Sequence, residues 1–242
     1  MASFWETVQV DGHDMEVYAS VPSGQGQGPF PAVIVSQHGG GVDKFIQEMA
    51  DRLAEAGYAA VAPNLFHRYS DEMLADRSGR VQHLSDPEIV ADINATVAFL
   101  QAHPAVNGDR IGVTGFCMGG RVTWLAAASN PYVKAAVPYY GGNINVIWGA
   151  GEKSPFELTE GINCPVLFHF GEKDVNPSAE DMAKFDAELT RLGTAHTFYT
   201  YPDADHAFMD YTAQRHNEAA FELSWPRTLE FFDGHLKSQK IT

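Results

Sequence analysis

The segment "GFCMGG" at residues 115–120 places a cysteine between glycines, directly after the apolar run "IGVT". An apolar run, a glycine-rich turn and a helix-forming segment together predict the strand–turn–helix setting of a nucleophile elbow. Cys117 would stand at its apex, where the dipole of the following helix favours the thiolate. The amide of Met118 would then face an oxyanion formed at the cysteine. The structural alternative is a buried cysteine in a tight turn.

Two residues downstream would complete a catalytic triad in the order nucleophile, acid, histidine. Asp174 follows the predicted strand "CPVLFHFG", and His206 follows the predicted strand "HTFYTYP". His206 would hold the thiol proton and pass it to the leaving group, while Asp174 would orient the imidazole. Asp203 and Asp205 are alternative acids, but they lie too near His206 in the chain to orient it from a neighbouring strand.

The loop "HGGGV" at residues 38–42 follows another predicted strand, where a second oxyanion donor is expected. Its glycines allow the backbone to approach a ligand closely, so we assign the second donor to the amide of Gly39. A flexible turn with a structural histidine is the alternative. Substrate contacts are predicted for four residues: His38, Phe116, Tyr139 and Phe208. Four further residues could line the pocket, although Phe66 and Trp148 fit the core equally well: Met118, Tyr140, Trp148 and Phe66.

Hydrophobic periodicity predicts strands that alternate with helices along the chain. The predicted strands are 4–10, 15–21, 32–37, 58–63, 110–116, 134–141, 164–171 and 196–202. The predicted helices are 43–57, 85–103, 120–129, 178–193 and 213–236, with Pro226 kinking or restarting the last one. This alternation predicts an α/β fold with a mostly parallel central sheet and helices on both faces. We expect residues 1–242 to form one domain, with 66–86 as an irregular lid or pocket wall.

The net charge and the cysteine count exclude several classes of binding partner and cofactor site. The formal charge of −15, from 16 Lys and Arg against 31 Asp and Glu, argues against nucleic acid and anionic membranes. The N-terminus lacks a signal-peptide pattern and no apolar run reaches bilayer length, so a cytoplasmic protein is expected. The two cysteines, Cys117 and Cys164, predict no disulfide framework, and no metal-ligand spacing is present. The expected partner is a small molecule, and the protein would be a monomer or a homodimer.

Five segments resemble the dienelactone hydrolase family, a branch of the α/β-hydrolases, and the resemblance extends over nearly the full chain. The segments are "GFCMGG", "YAAVAPNLF", "VPYYGG", "LFHFGEKD" and "DADHAF". The resemblance implies an α/β-hydrolase fold and a triad at Cys117, Asp174 and His206. It also implies hydrolysis of esters or lactones through an acyl-enzyme, without a cofactor.

The chain departs from the family pattern at positions that would bind substrate. Where this chain has His38, the family has a glutamate. Where this chain has Asp210, the family has an arginine that binds the substrate carboxylate. A second family arginine would match Arg77 or Arg80. A carboxylate at residue 210 would repel an anionic lactone. We therefore expect a neutral ester, lactone or thioester as the substrate. The alternatives are a true dienelactone hydrolase that takes an anionic lactone, and a non-catalytic binding or redox module with an oxidisable Cys117.

Overall fold

Eight strands form one sheet in a computed structural model that describes residues 1–23, 28–76 and 79–237. The strands are β1 (Ala2–Val10), β2 (His13–Val21), β3 (Phe30–Ser36), β4 (Ala59–Pro63), β5 (Val106–Phe116), β6 (Val133–Tyr139), β7 (Val166–Gly171) and β8 (His196–Tyr201). Their order is β1-β2-β4-β3-β5-β6-β7-β8. The β1–β2 and β2–β4 pairs are antiparallel and the other pairs are parallel. The predicted mostly parallel sheet is therefore confirmed.

Within the described residues, five α-helices connect or follow these strands. They are α1 (Lys44–Glu55), α2 (Asp86–Ala102), α3 (Met118–Ser129), α4 (Ala179–Leu192) and α5 (Glu218–Phe232). Side chains fix several helix starts: Asp43 caps α1, and a Ser178–Asp181 capping box begins α4. Residues 213–217, predicted as helical, form turns that end at Asn217, which caps α5. Pro226 lies inside the continuous helix α5 and does not restart it.

The helices cover both faces of the sheet, as predicted. Along β3, Ala32 and Ile34 belong to the apolar cluster shared with α2, α3 and α4. The alternate residues Val33 and Val35 belong to the cluster shared with α1 and α5. Each buried Val or Ile side chain stabilises the fold by about 1.5–3 kcal/mol relative to an exposed one. A strand that is buried on both faces has a continuous apolar sequence, and "AVIVS" in β3 has this pattern.

The segment between β4 and α2 is irregular, as expected from its sequence. Its described residues form turns and a short 3₁₀ helix, Arg80–His83. Leu65 and Phe66 are buried, and the Tyr69 hydroxyl donates to the backbone oxygen of His83. Its action as a lid stays a prediction. Among the described helices, none has the length and apolar character needed to span a bilayer.

Candidate active site

Cys117 occupies a strained turn between β5 and α3. Its backbone adopts φ 57° and ψ −116°, a conformation that non-glycine residues rarely take. Two backbone hydrogen bonds hold the turn: the Cys117 amide donates to the Tyr139 oxygen at 3.1 Å, and the Gly120 amide donates to the Cys117 oxygen at 2.9 Å. The thiol-bearing residue is thereby fixed at the carboxyl edge of the sheet, in the geometry that the elbow motif predicts.

The glycines on either side of Cys117 are required by close backbone contacts. A Cβ atom on Gly115 would lie 2.2 Å from the Gly119 oxygen, and one on Gly119 would lie 2.0 Å from the Ser36 oxygen. No other residue fits at either position without a shift of backbone. The G-x-C-x-G spacing thus reflects the packing of α3 against the ends of β3 and β5.

The structure brings the three predicted triad side chains together. Asp174 lies just beyond β7, and its Oδ2 is 2.9 Å from Nδ1 of His206, which lies beyond β8. The other carboxylate oxygen accepts the Asn176 amide at 2.9 Å, so both oxygens of Asp174 are engaged. The Asp174 side chain is almost fully buried, whereas His206 is partly open to the site. His206 also lies close enough to the Cys117 thiol for each group to shift the pKa of the other.

The electrostatics of the site favour a thiolate–imidazolium pair. Burial opposes ionisation of Cys117, but the hydrogen bond and charge of His206 outweigh it and hold the thiol pKa below its ordinary value. Burial likewise opposes the charge on His206, yet Asp174 and Cys117 raise its pKa to about 10. The other cysteine shows the opposite behaviour, because burial raises the pKa of Cys164 to about 12. Within this chain, therefore, Cys117 is the cysteine whose environment favours a reactive thiolate.

The two predicted oxyanion donors flank the sulfur. The amides of Met118 and Gly39 both face the Cys117 thiol and contribute to its lowered pKa. Met118 is the first residue of α3, so its amide is one of the unpaired donors at a helix start. Gly39 lies in the loop between β3 and α1. An oxygen placed where these amides converge would accept two hydrogen bonds. That they form an oxyanion hole stays a prediction.

The side chain of His38 contacts two residues at the start of α1. Its Nε2 is 2.8 Å from Oδ2 of Asp43, and its ring packs edge-on against Phe45 at 5.8 Å. Burial opposes the charge on Asp43, but the hydrogen bond and charge of His38 lower its pKa. These contacts give His38 a role in fixing the start of α1. A contact between His38 and substrate stays a prediction without a direct structural sign.

The predicted aromatic contacts lie mainly beneath the site. Phe116, Tyr139 and Phe208 are fully buried in the core cluster shared with α1 and α5. The Tyr139 hydroxyl lies 2.5 Å from Oγ1 of Thr228 on α5, within the core. Phe208 packs against Tyr140 with ring centroids 5.1 Å apart. The packing of these side chains supports the floor of the site, and their contact with substrate stays a prediction.

Two charged residues near the site make contacts that their sequence positions did not reveal. Asp210 is buried and accepts hydrogen bonds from the amide and hydroxyl of Thr212 at 2.9 and 2.6 Å. Arg80 donates to the backbone oxygens of Leu74 and Gly40. Arg80 therefore braces the glycine loop from the 66–86 segment. The other arginine considered for substrate binding, Arg77, lies outside the described residues.

A buried ion pair below the elbow was not predicted from the sequence. Arg121 is fully buried and forms two hydrogen bonds with Asp86, at 2.6 and 3.0 Å. It also donates to the backbone oxygens of Asn143 and Val146 and stacks under Trp148 at 3.7 Å. Arg121 thus ties α3, the start of α2 and the loop after β6 together. An arginine four residues after Cys117 was the available signal. In the described part of the chain, no group of three or more His, Cys, Asp or Glu side chains could hold a metal ion.

Comparisons with known proteins identify the family and the fold of this chain. The model of the dienelactone hydrolase family matches residues 15–236. An Escherichia coli (strain K12) protein provisionally named a carboxymethylenebutenolidase is 36% identical over 234 residues, which span 93% of this chain and 84% of that protein. The crystal structure of a provisionally named dienelactone hydrolase from Klebsiella pneumoniae superposes with a TM-score of 0.86 at 31% identity, covering 97% of this chain and 99% of that one.

The same fold extends to more distant enzymes. An acylaminoacyl peptidase superposes with a TM-score of 0.76 at 19% identity, covering 99% of this chain and 42% of the peptidase. At that identity the likeness shows the fold alone. The family match, by contrast, spans the elbow and both downstream site residues. The chain therefore belongs to the dienelactone hydrolase family and is a hydrolase with the α/β-hydrolase fold.

Proposed function

We propose that this protein hydrolyses carboxylic esters or lactones through a thioester intermediate on Cys117. The observation that carries the proposal is the continuous interaction of Asp174, His206 and Cys117 at a strained elbow. The lowered pKa of the thiol and the raised pKa of the imidazole favour an ion pair that is ready to react before substrate binds. The names of its relatives support a lactone or ester as the substrate class.

Acylation begins when the Cys117 thiolate attacks the substrate carbonyl carbon. The carbonyl π electrons move to oxygen, and the amides of Gly39 and Met118 donate hydrogen bonds to the resulting oxyanion. As the tetrahedral intermediate collapses, the carbon–oxygen bond to the leaving group breaks. The leaving oxygen keeps the electron pair and takes the proton of His206. Asp174 holds the imidazole in position throughout and does not itself change its protonation state.

Deacylation reverses the roles of the same groups. After the first step His206 is neutral, so it can accept a proton from a water molecule that attacks the thioester carbonyl. The same two amides stabilise the second oxyanion. The carbon–sulfur bond then breaks, and the thiolate returns to its pair with the protonated His206. The carboxylic acid product leaves, and no cofactor takes part in this sequence.

The environment of Asp210 favours a substrate without a negative charge near that residue. The carboxylate of Asp210 is buried and lies close enough to Tyr140 for its charge to raise the pKa of that phenol. A substrate carboxylate placed at this point would meet like charge. We therefore propose neutral esters or lactones. Comparing a carboxylated lactone with its methyl ester tests this: preference for the methyl ester supports the proposal, whereas preference for the anion contradicts it.

Two cysteine variants test the nucleophile. The wild-type protein, Cys117→Ala and Cys164→Ala are each mixed with an activated short-chain aryl ester, and aryl alcohol release is followed together with intact-protein mass. Cys117→Ala should lose sustained release and the acyl adduct, because no sulfur remains to attack. Cys164→Ala is the matched control and should keep both, since the Cys164 thiol is buried and held neutral by its raised pKa.

The same experiment separates the hydrolase from a redox or binding module. Sustained release with an adduct that maps to Cys117 supports the hydrolase. If Cys117→Ala keeps most of the esterase rate, the proposed nucleophile is wrong. If wild-type protein turns over neither the aryl ester nor the lactone while Cys117 forms a sulfenic acid rapidly in peroxide, the redox alternative is favoured.

We also infer a cytoplasmic protein of one domain, present as a monomer or homodimer, whose partner is a small molecule. The net charge of −15 supports the absence of nucleic acid or membrane partners. The two unpaired cysteines fit a reducing compartment. A single sheet that runs from β1 to β8 supports one domain. One cooperative urea transition and a mass from light scattering would test the domain and oligomer assignments.

A further inference from the structure

Tyr140 lies at the carboxyl edge of the sheet, one residue beyond β6. Tyr140 is almost fully buried, and its backbone has φ 38°, a left-handed value that is unusual for an aromatic residue. Its amide donates to the His169 oxygen at 2.8 Å, which fixes the backbone in this conformation. Backbone strain of this kind persists where the surrounding structure enforces it and is concentrated at functional sites.

Within the described part of the chain, the Tyr140 hydroxyl has no hydrogen-bond partner. The Met209 amide faces the phenol oxygen, but outside hydrogen-bond geometry. A buried hydroxyl without a partner is destabilising, and most native proteins avoid it. The neighbouring tyrosine shows the ordinary solution, because the hydroxyl of Tyr139 is bonded to Thr228. The Tyr140 hydroxyl therefore has a hydrogen to donate, but the described residues offer it no acceptor.

The phenol lies beside the reacting groups. Its ring packs edge-on against the imidazole of His206, with centroids 5.2 Å apart. Burial, followed by the negative charges of Cys117 and Asp210, raises its pKa well above the ordinary value. The hydroxyl therefore stays protonated throughout the range in which the enzyme would work. Tyr140 thus places a neutral hydroxyl donor on a ring that packs beside His206, where a substrate oxygen could accept from it.

The sheet order determines which substrate oxygen this donor would meet. Cys117 follows β5, which lies between β3 and β6. The oxyanion amide of Gly39 comes from the β3 side, whereas Tyr140 comes from the β6 side, next to His206. The carbonyl oxygen would be held towards Gly39 and Met118. The oxygen on the Tyr140 side is then the one that His206 protonates.

We propose that Tyr140 is a catalytic residue, whose hydroxyl donates a hydrogen bond to the ester or lactone oxygen that leaves the carbonyl carbon bound to Cys117. This inference rests on the function proposed above. During acylation the sulfur–carbon bond forms and the carbon–oxygen bond breaks, with the electron pair remaining on the leaving oxygen. That oxygen takes its proton from His206, while Tyr140 keeps its own proton and stabilises the developing charge.

Tyr140→Phe tests the proposal because it removes the hydroxyl and keeps the ring. The rates kcat/KM are measured for two esters with the same acyl group, one with an aryl and one with an alkyl leaving group. In this variant, kcat/KM for the alkyl ester should fall about 10- to 100-fold, the range expected for loss of a hydrogen bond to a charged oxygen. The aryl ester should lose less, because its leaving oxygen carries less charge. The Tm of Tyr140→Phe should equal or exceed that of the wild type, since a buried unpaired hydroxyl is removed.

Tyr58→Phe is the matched control at the opposite edge of the sheet. Tyr58 is also fully buried, but its hydroxyl donates to Asp233 at 2.6 Å. This variant should lower the Tm and leave the ratio of the two ester rates unchanged. A loss of activity without a lower Tm in Tyr140→Phe indicates a chemical role. A lower Tm with an unchanged rate ratio in Tyr58→Phe indicates a packing role.

Three outcomes overturn the inference: unchanged rates in Tyr140→Phe, an equal loss for both esters, or a loss that accompanies a lower Tm. Failure of the proposed function is detected separately, because it would appear as absent turnover and absent Cys117 adduct in the wild-type protein. If wild-type turnover proceeds through Cys117 and Tyr140→Phe behaves like the wild type, only the role of Tyr140 is refuted.

Discussion

Replacing Asp174 with Asn tests how far the thiolate–imidazolium pair depends on the buried carboxylate. Burial disfavours the charged imidazole, yet Asp174 and Cys117 raise the pKa of His206 from 6.5 to about 10. That rise corresponds to a preference for the imidazolium of about 5 kcal/mol, at about 1.4 kcal/mol per pH unit. Asp174 supplies part of this preference, so removing its charge should reduce the population of the ion pair on the order of 10- to 100-fold.

The direction of the pH effect follows from these shifts. In the wild type, His206 keeps its proton until the pH approaches about 10, while the Cys117 thiol ionises below its ordinary value. In Asp174→Asn the imidazole loses its proton at lower pH, so the thiol loses its positive partner and ionises at higher pH. We expect kcat/KM near neutral pH to fall about 10- to 100-fold, and the pH midpoint for alkylation of Cys117 by iodoacetamide to rise.

Asp203→Asn provides the control for this experiment. Asp203 lies on the same loop as His206, but it is exposed and pairs with Lys173 at 2.8 Å. Its replacement should leave both the alkylation midpoint and kcat/KM unchanged. If Asp174→Asn keeps the wild-type midpoint and rate, the Asp174 carboxylate does not stabilise the ion pair of Cys117 and His206, and its proposed role is refuted. Unfolding is excluded as the cause of a loss by comparing urea midpoints of the two variants.

Three further predictions concern the frame of the site. Asp86→Ala should lower the unfolding free energy by about 3–5 kcal/mol in urea titrations, because it leaves the buried Arg121 charge unpaired; Asp86→Leu combined with Arg121→Met should recover most of the loss. Gly119→Ala should abolish ester turnover and lower the urea midpoint, since its Cβ would lie 2.0 Å from a backbone oxygen at the end of β3; wild-type turnover would contradict this. His38→Ala should change kcat/KM by less than about tenfold, because its partner is Asp43; a much larger loss would indicate proton transfer.

The sequence predicts best those features that neighbouring residues determine. The elbow is fixed by Gly115 and Gly119 within four positions of each other, and the triad order is fixed by strands that end at one edge of the sheet. The buried strands are visible because both of their faces are apolar. The class of fold and the position of Cys117 therefore follow from local pattern.

Features that join distant segments could not be predicted in this way. Arg121 and Asp86 are 35 residues apart, and nothing near either residue indicates that their charges meet in the core. The turn of His38 towards Asp43 depends on where α1 begins. The Tyr140 hydroxyl has no hydrogen-bond partner among the described residues. Hydrophobic periodicity and motif spacing give no information on such a missing contact.

The strained residues of the site are held by an extension of the sheet itself. Cys117 and Tyr140 both have positive φ values, and each such conformation costs on the order of 1–3 kcal/mol. The Cys117 amide bonds to the Tyr139 oxygen, and the Tyr140 amide bonds to the His169 oxygen. The parallel hydrogen-bond pattern of β5, β6 and β7 thus continues one step into the loops that carry the thiol and the phenol. If Cys117 and Tyr140 act as proposed, their side chains are set by the sheet before substrate arrives, and little reorganisation remains for the chemical step.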